Sequence, residues 1–145
     1  MDTKEEKQNQ FEWWITCIPD KISELKKRLP DLVSKDLDFT VHSVIILENY
    51  LLKNYNQEKL RNDKEFWDCC ASYVGKVYRT NVPNSEWYIE LDDVKNIFYN
   101  KPALRIKNKV DFPPHSYVMA ALDRNKGNFI FTVINKHKEL GALTK

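Results

Sequence analysis

The chain has 145 residues, of which 42% are hydrophobic and 30% charged, a size and composition that favour one globular domain. Its 23 basic and 21 acidic side chains nearly balance, which argues against disorder driven by self-repulsion. No apolar run approaches the roughly 20 residues that span a bilayer, and the polar first residues are unlike a secretory signal. We therefore expect a soluble cytoplasmic protein whose three cysteines stay reduced.

The N-terminal part of the chain predicts an amphipathic helix. Residues 1–10 lack an apolar stripe, so we expect them to be disordered and a single domain to cover residues 11–145. From Phe11 to Leu29 the apolar side chains follow the i, i+3, i+4 spacing of one helical face. Pro19 interrupts this pattern and predicts either a kink or the start of a second helix.

Two further helices are expected before the strands begin. One starts near Asp38 or Thr40, either of which is a suitable N-cap residue. The next starts near Asn62 and is apolar on two faces, which is typical of a central helix. On this helix Ala71 and Gly75 are one turn apart and would let a second backbone approach closely.

The C-terminal part of the chain changes to the two-residue period of β-strands. The predicted strands are 86–92, 97–99, 103–110 and 129–134, with a short helix over 115–122 before the last strand. Residues 129–134 are apolar on both faces, which favours a strand in the middle of a sheet. These elements predict an α+β fold, in which three N-terminal helices pack on one face of a three- to four-stranded, mainly antiparallel sheet.

The charges are distributed unevenly along the chain. Residues 1–93 carry 13 basic and 18 acidic side chains, whereas residues 94–145 carry 10 basic and 3 acidic ones. Much of the basic excess lies at alternate positions of one predicted strand and beyond the last one: Lys101, Arg105, Lys107, Lys109, Lys136 and Lys138. This basic strand face is either an edge protected by lysines or a docking surface for an acidic protein. Nucleic-acid binding is less expected, because no nucleic-acid-binding signature accompanies the charges.

Exposed aromatic side chains are further candidates for contact with a partner. Trp13 lies off the apolar stripe of its helix, and Tyr88 lies on the solvent side of its strand. Aromatic and arginine side chains are enriched among binding hot spots. We therefore predict that Arg105, Lys107 and Lys109 contact a protein partner, with Trp13 and Tyr88 as additional contacts.

Other residues offer little chemistry for catalysis or cofactor binding. The three glycines are scattered, which excludes a glycine-rich phosphate loop. Cys17, Cys69 and Cys70 are candidate nucleophiles, but Cys70 falls on an apolar stripe where burial raises the pKa of the thiol. No cysteine or histidine pair has the spacing of a zinc site. We expect neither a cofactor nor a bound metal.

An acidic cluster supplies the alternative function. Glu90 and Asp92 share a face of one predicted strand and Lys95 follows, a combination that can hold Mg²⁺ and activate water. The alternative to protein binding is therefore a metal-dependent hydrolase or nuclease, or a nucleic-acid-binding protein that uses the basic C-terminal half. An acidic strand end is also ordinary solvated surface.

Three groups of residues resemble a family of small bacterial α+β domains with an immunity-protein-like character. The matching groups are Leu37-Asp38-Phe39 with Ser43, Leu47 and Glu48; Tyr73-Val74-Gly75-Lys76-Val77 with Trp87; and Pro113-Pro114 before Tyr117-Val118. The resemblance covers residues 36–135, and Lys76 replaces the glutamate that the family pattern usually carries. It implies no enzymatic activity, and it implies a role as an immunity or accessory protein of a bacterial toxin system.

The residues and the resemblance together predict a non-enzymatic cytoplasmic protein-binding module. Its expected partner is an acidic protein, and the resemblance implies that this partner is a toxin. Charge complementarity would mainly accelerate the association and set its specificity.

Overall fold

In the computed structural model, which describes residues 2–143, eight helices and one three-stranded antiparallel sheet give the α+β class that the sequence predicts. The helices are α1 (Lys4–Thr16), α2 (Ile18–Arg28), α3 (Asp31–Ser34), α4 (Ser43–Asn54), α5 (Gln57–Asn62), α6 (Lys64–Asn81), α7 (Pro114–Arg124) and α8 (Phe129–Ala142). The strands are β1 (Ser85–Ile89), β2 (Pro102–Ile106) and β3 (Val110–Phe112).

Helix α6 is the centre of the fold, as its two apolar faces predict. Every residue from Cys69 to Tyr78 is buried except Lys76. The helix contacts α2, α4, α5, α7, β1 and β2. Asp63 caps its N-terminus by accepting a hydrogen bond from the backbone N–H of Phe66 at 3.2 Å, one residue after the predicted start.

The sheet has the order β1-β2-β3, and one of its faces packs on α6. In the register, Trp87 lies opposite Leu104, and Leu104 lies opposite Phe112. A Cβ atom added at Gly75 would lie 2.4 Å from Cη2 of Trp87, so this glycine admits the indole ring rather than another backbone. Among the N-terminal helices, α6 provides the main contact with the sheet, and α2 packs on α6.

The predicted strand over 103–110 is two strands joined by a turn. Strand β2 ends at Ile106, residues 107–109 form the turn, and β3 begins at Val110. Asn108 has a φ of 64°, a left-handed conformation that asparagine tolerates better than most residues. The predicted strand over 97–99 is absent from the described residues, where only an isolated bridge joins Glu90 to Tyr99.

The predicted strand over residues 129–134 is wrong, because this segment is the first half of α8. The buried residues of α8 are Ile130, Ile134, His137 and Gly141, which lie on one helical stripe. A short apolar run does not distinguish a buried strand from a buried helix. The sheet therefore has three strands in the described chain, and the short helix α7 leads into another helix.

At the N-terminus, where the sequence predicts disorder over residues 1–10, the structure describes residues 2–10 and Met1 lies outside the described residues. Helix α1 begins at Lys4, and the Thr3 hydroxyl caps it by accepting a hydrogen bond from the Glu6 N–H at 3.1 Å. Polar side chains of α1 contact the loop after β1: Lys4 pairs with Asp92, and Lys7 donates to the hydroxyl of Tyr99. These polar contacts connect α1 to the loop after β1, although residues 4–10 present no apolar stripe.

Helices α1 and α2 adjoin at Cys17, two residues before the proline that interrupts the apolar pattern. Pro19 lies in the first turn of α2, so it starts a second helix, which was one of the two predicted outcomes. None of the helices between residues 2 and 143 is long and apolar enough to cross a membrane.

Candidate functional site

Arg105 and Tyr88 occupy the outer face of the sheet, where they bind each other and neighbouring acids. The Arg105 guanidinium lies 3.9 Å from the centre of the Tyr88 ring and pairs with Glu86 at 3.1 Å. Asp111 lies directly opposite Arg105 in the register. The Tyr88 hydroxyl donates to Glu90 at 2.6 Å, and this bond raises the pKa of Tyr88 to about 12. The outer face therefore balances its arginine with carboxylates.

Lys107 and Lys109 are exposed in the turn between β2 and β3, and not on a strand. A shallow groove brings Lys109 beside Tyr88 and Arg105, and Lys107 does not line it. Trp13, with 68% of its surface exposed, lies on α1 and does not line this groove either. Lys136 and Lys138 are exposed on α8, where a strand end was predicted. The predicted basic strand face is therefore not one continuous surface.

The acidic cluster of the alternative hypothesis organises the loop after β1. The Glu90 carboxylate accepts the Tyr88 hydroxyl and the backbone N–H groups of Asp92 and Asp93. These bonds lower the pKa of Glu90 below its usual range. Lys95 is exposed in the same loop. Across residues 2–143 no group of three histidine, cysteine or acidic side chains has a geometry that could hold a metal ion.

The cysteines are free thiols, and two of them are buried in α6. Burial raises the pKa of Cys69 to about 11 and raises that of Cys70 well above its ordinary value. Cys17 is half-buried between α1 and α2. Because the thiolate is the reactive form, the adjacent pair has low nucleophilicity at neutral pH.

A different surface groove combines apolar walls with unpaired charge. It has a volume of about 430 Å³ and lies where α2, α6 and β1 meet. Its apolar lining consists of Ile15, Ile18, Pro19, Ile22, Phe39 and Trp87. Pro19 is exposed, Ile15, Phe39 and Trp87 are half-buried, and no carboxylate of the described part of the chain lines the groove. We call this feature the α2–α6 groove.

Two cations of α6 complete the α2–α6 groove. Lys76 and Arg79 line it, are exposed, and have no ion pair among residues 2–143. Their spacing of three residues places them on the same helical face. A third cation lies close by, because the Lys26 ammonium is 5.3 Å from the centre of the Phe39 ring. The groove therefore presents positive charge beside an apolar surface.

Phe39 reaches the α2–α6 groove from a strained backbone. Its φ of 67° lies in the left-handed region, and the other residues outside glycine with positive φ in the described chain are asparagines. The Phe39 N–H donates to the Tyr73 hydroxyl at 3.0 Å, and its carbonyl accepts from the Asn81 side chain at 2.9 Å. Strain of this kind costs about 1–3 kcal/mol and is concentrated at functional sites.

The sequence carried only partial signals for this groove. Lys76 is exposed within the stretch of α6 from Cys69 to Tyr78 that is otherwise buried, and the exposed Arg79 follows three residues later, so their spacing places them together. By contrast, the residues around Phe39 contain no glycine or asparagine that would signal a left-handed backbone. Its partners Tyr73 and Asn81 are distant in the sequence, so the fold alone reveals the strain.

Comparisons of the chain with protein-family models, curated proteins and solved structures found no match.

Proposed function

We propose that this protein is a non-enzymatic module that binds an acidic segment of a partner protein in the α2–α6 groove. The observation that carries the proposal is the pairing of an apolar groove of about 430 Å³ with two exposed cations that have no acidic partner in the described chain. Desolvated apolar pockets supply most of the binding energy at interfaces, and flanking charges select the partner.

The chemistry of the groove defines the segment that fits it. The lining of Ile18, Ile22 and Trp87 favours a leucine, phenylalanine or similar side chain. Lys76 and Arg79 favour aspartate or glutamate next to that side chain. The resemblance described above implies a toxin as the partner, and the groove defines the chemistry of its contact.

The groove is favoured over the predicted contacts Arg105, Lys107 and Lys109 because its uncompensated cations lie beside apolar walls. Arg105 already pairs with Glu86 and covers the Tyr88 ring, so a partner would have to displace these contacts. Lys107 and Lys109 are free to attract an acidic partner but have little apolar surface around them in the turn. Charge without desolvated apolar contact mainly affects the rate of encounter.

The proposal can be tested with two synthetic peptides of equal length. Both contain leucine and phenylalanine, one flanked by aspartate and glutamate and the other by lysine. We expect the acidic peptide to bind, as measured by fluorescence anisotropy, with an affinity that falls as salt increases. The double variant Lys76→Glu/Arg79→Glu should weaken this binding at least about tenfold, because it places like charges beside the peptide.

The matched control reverses the same number of charges elsewhere, in Lys107→Glu/Lys109→Glu. This variant should bind the acidic peptide as the wild type does. The proposed groove is wrong if the control loses binding while the groove variant retains it, if the basic peptide binds equally well, or if neither peptide binds.

A further inference from the structure

A second cavity lies between β2, α6 and the first turn of α7. It has a volume of about 260 Å³ and is lined by Trp67, Lys101, Pro102, Pro113, His115 and Ser116. None of these residues lines the α2–α6 groove, so the two features are separate. We call it the His115 cavity.

A hydrogen bond, a ring contact and two prolines restrain the walls of the His115 cavity. The indole N–H of Trp67 donates to the carbonyl of His115 at 3.0 Å, and the two rings meet nearly edge to face at 6.0 Å. Pro102 and Pro113 add side chains that have little freedom to move. A preformed pocket binds more tightly than a flexible one, because less conformational entropy is lost on binding.

The His115 ring is held from behind by Asp68. Nε2 of His115 lies 2.8 Å from a carboxylate oxygen of Asp68. Burial alone would raise the pKa of Asp68, but hydrogen bonds from His115, Lys21 and Trp14 outweigh it and lower the pKa to about 2. Because Asp68 is ionised at neutral pH, Nε2 is the donor in this bond. The remaining nitrogen of the ring, Nδ1, has no partner among residues 2–143.

Three polar groups of the cavity are left to meet a ligand. They are the Lys101 ammonium, the Ser116 hydroxyl and Nδ1 of His115, and none has a hydrogen-bond partner within the described chain. Among residues 2–143 no carboxylate lines the cavity, and the charge of Asp68 behind it is balanced by Lys21 at 3.0 Å. Lys101 therefore contributes a positive charge to the lining of the cavity.

We propose that the His115 cavity binds a small planar ring that carries one carboxylate. The Trp67, Pro102 and Pro113 walls would enclose the ring, and the carboxylate would accept hydrogen bonds from Lys101 and Ser116. The volume suits this ligand class, since an apolar cavity of about 150 Å³ already holds benzene. The carboxylate complements the positive charge of Lys101.

Benzoate is the probe for this proposal, and benzamide is its neutral counterpart of nearly the same shape. Titration is followed by NMR of the backbone amides of Lys101 and Ser116 and of the Trp67 indole. We expect saturable benzoate binding with a Kd of about 1 mM or tighter, and benzamide binding weaker by about threefold to fivefold.

Two variants and a control locate the site. Lys101→Gln should weaken benzoate binding by about threefold to fivefold and leave benzamide binding unchanged. Ser116→Leu should abolish both by filling the cavity, while Lys107→Gln, an exposed lysine in the hairpin turn, should change neither. The proposal is overturned if benzoate does not bind, if benzamide binds as tightly as benzoate, or if Lys101→Gln and Lys107→Gln behave alike.

Discussion

Several charged side chains that the sequence leaves open for function make hydrogen bonds or ion pairs within the fold. Glu90 organises the loop after β1, and Arg105 covers Tyr88 on the sheet. Asp68 accepts hydrogen bonds from the Trp14 indole and from His115, and it pairs with Lys21. Such groups are poorly available to a binding partner, because the partner would first have to break their existing hydrogen bonds and ion pairs.

Asp68 provides the clearest prediction at this scale. We expect Asp68→Asn to lower the free energy of unfolding by about 1–2 kcal/mol at pH 7, because the native state lowers the pKa of Asp68 from 3.8 to about 2. The folded state stabilises the ionised carboxylate of Asp68. This stabilisation is therefore present above pH 3.8 and is lost as the pH falls toward 2. Urea denaturation of both proteins across this range measures the difference.

The control for this prediction is Asp36→Asn, which changes an exposed carboxylate in the loop after α3. It should alter the free energy of unfolding by less than about 0.5 kcal/mol at any of these pH values. A difference between Asp68→Asn and the wild type that stays constant down to pH 2 would contradict the assignment of the low pKa to Asp68.

At the scale of elements, the N-terminus of α8 is capped by a residue from another helix. Glu48 is a buried residue of α4 with 1% of its surface exposed. Its two carboxylate oxygens accept the backbone N–H groups of Phe129 and Ile130 at 3.0 and 2.9 Å. The residue before α8, Asn128, makes no side-chain capping bond of its own. Glu48 therefore satisfies the free donors of α8 and complements the positive end of its dipole.

We predict that Glu48→Gln destabilises the protein by about 1–3 kcal/mol. The amide keeps one acceptor oxygen but replaces the other with a donor, so one buried N–H of α8 loses its partner. The free energy of unfolding in urea, followed by far-ultraviolet circular dichroism, measures the loss.

The comparison variant for Glu48 is Glu139→Gln, which changes an exposed carboxylate on α8 itself. We expect a change of less than about 0.5 kcal/mol for this surface position. Equal effects of the two substitutions would show that the carboxylate of Glu48 has no special role at the start of α8.

At the scale of the whole molecule, α8 packs onto the turn between α6 and β1, so it covers the junction of the helices and the sheet. The close approach depends on Gly141, where an added Cβ atom would lie 2.2 Å from the carbonyl oxygen of Pro83. The hydroxyl of Tyr78 on α6 also lies 2.7 Å from Nδ1 of the buried His137 on α8. These contacts fix the C-terminal helix to the centre of the fold.

We predict that Gly141→Ala destabilises the protein by about 1–2 kcal/mol. Overpacking against backbone costs about 1–3 kcal/mol and offsets the gain of about 1 kcal/mol that alanine brings to a helix. Thermal or urea unfolding tests the change, with Ala142→Ser at the exposed neighbouring position as control. A more stable Gly141→Ala variant would mean that α8 does not approach the turn this closely.

Much of the architecture follows from local patterns in the sequence. The two apolar faces of α6 predict its central position, and the alternation around Trp87 predicts β1. Pro19 predicts either a kink or a second helix, and the second helix is present as α2. These predictions succeed because the periodicity of burial depends on the spacing of apolar residues that are close together in the sequence. The same patterns failed for residues 129–134, where the period of a helix and that of a buried strand overlap.

The amino-acid sequence by itself therefore determined the α+β class, the central helix and the first strand. Only the tertiary structure decided that Glu48 caps α8, that Arg105 is neutralised while Lys76 and Arg79 are not, and that Phe39 has a left-handed backbone. The reason is physical: helix and strand periods depend on adjacent residues, whereas capping, charge pairing and strain depend on groups that only folding brings together.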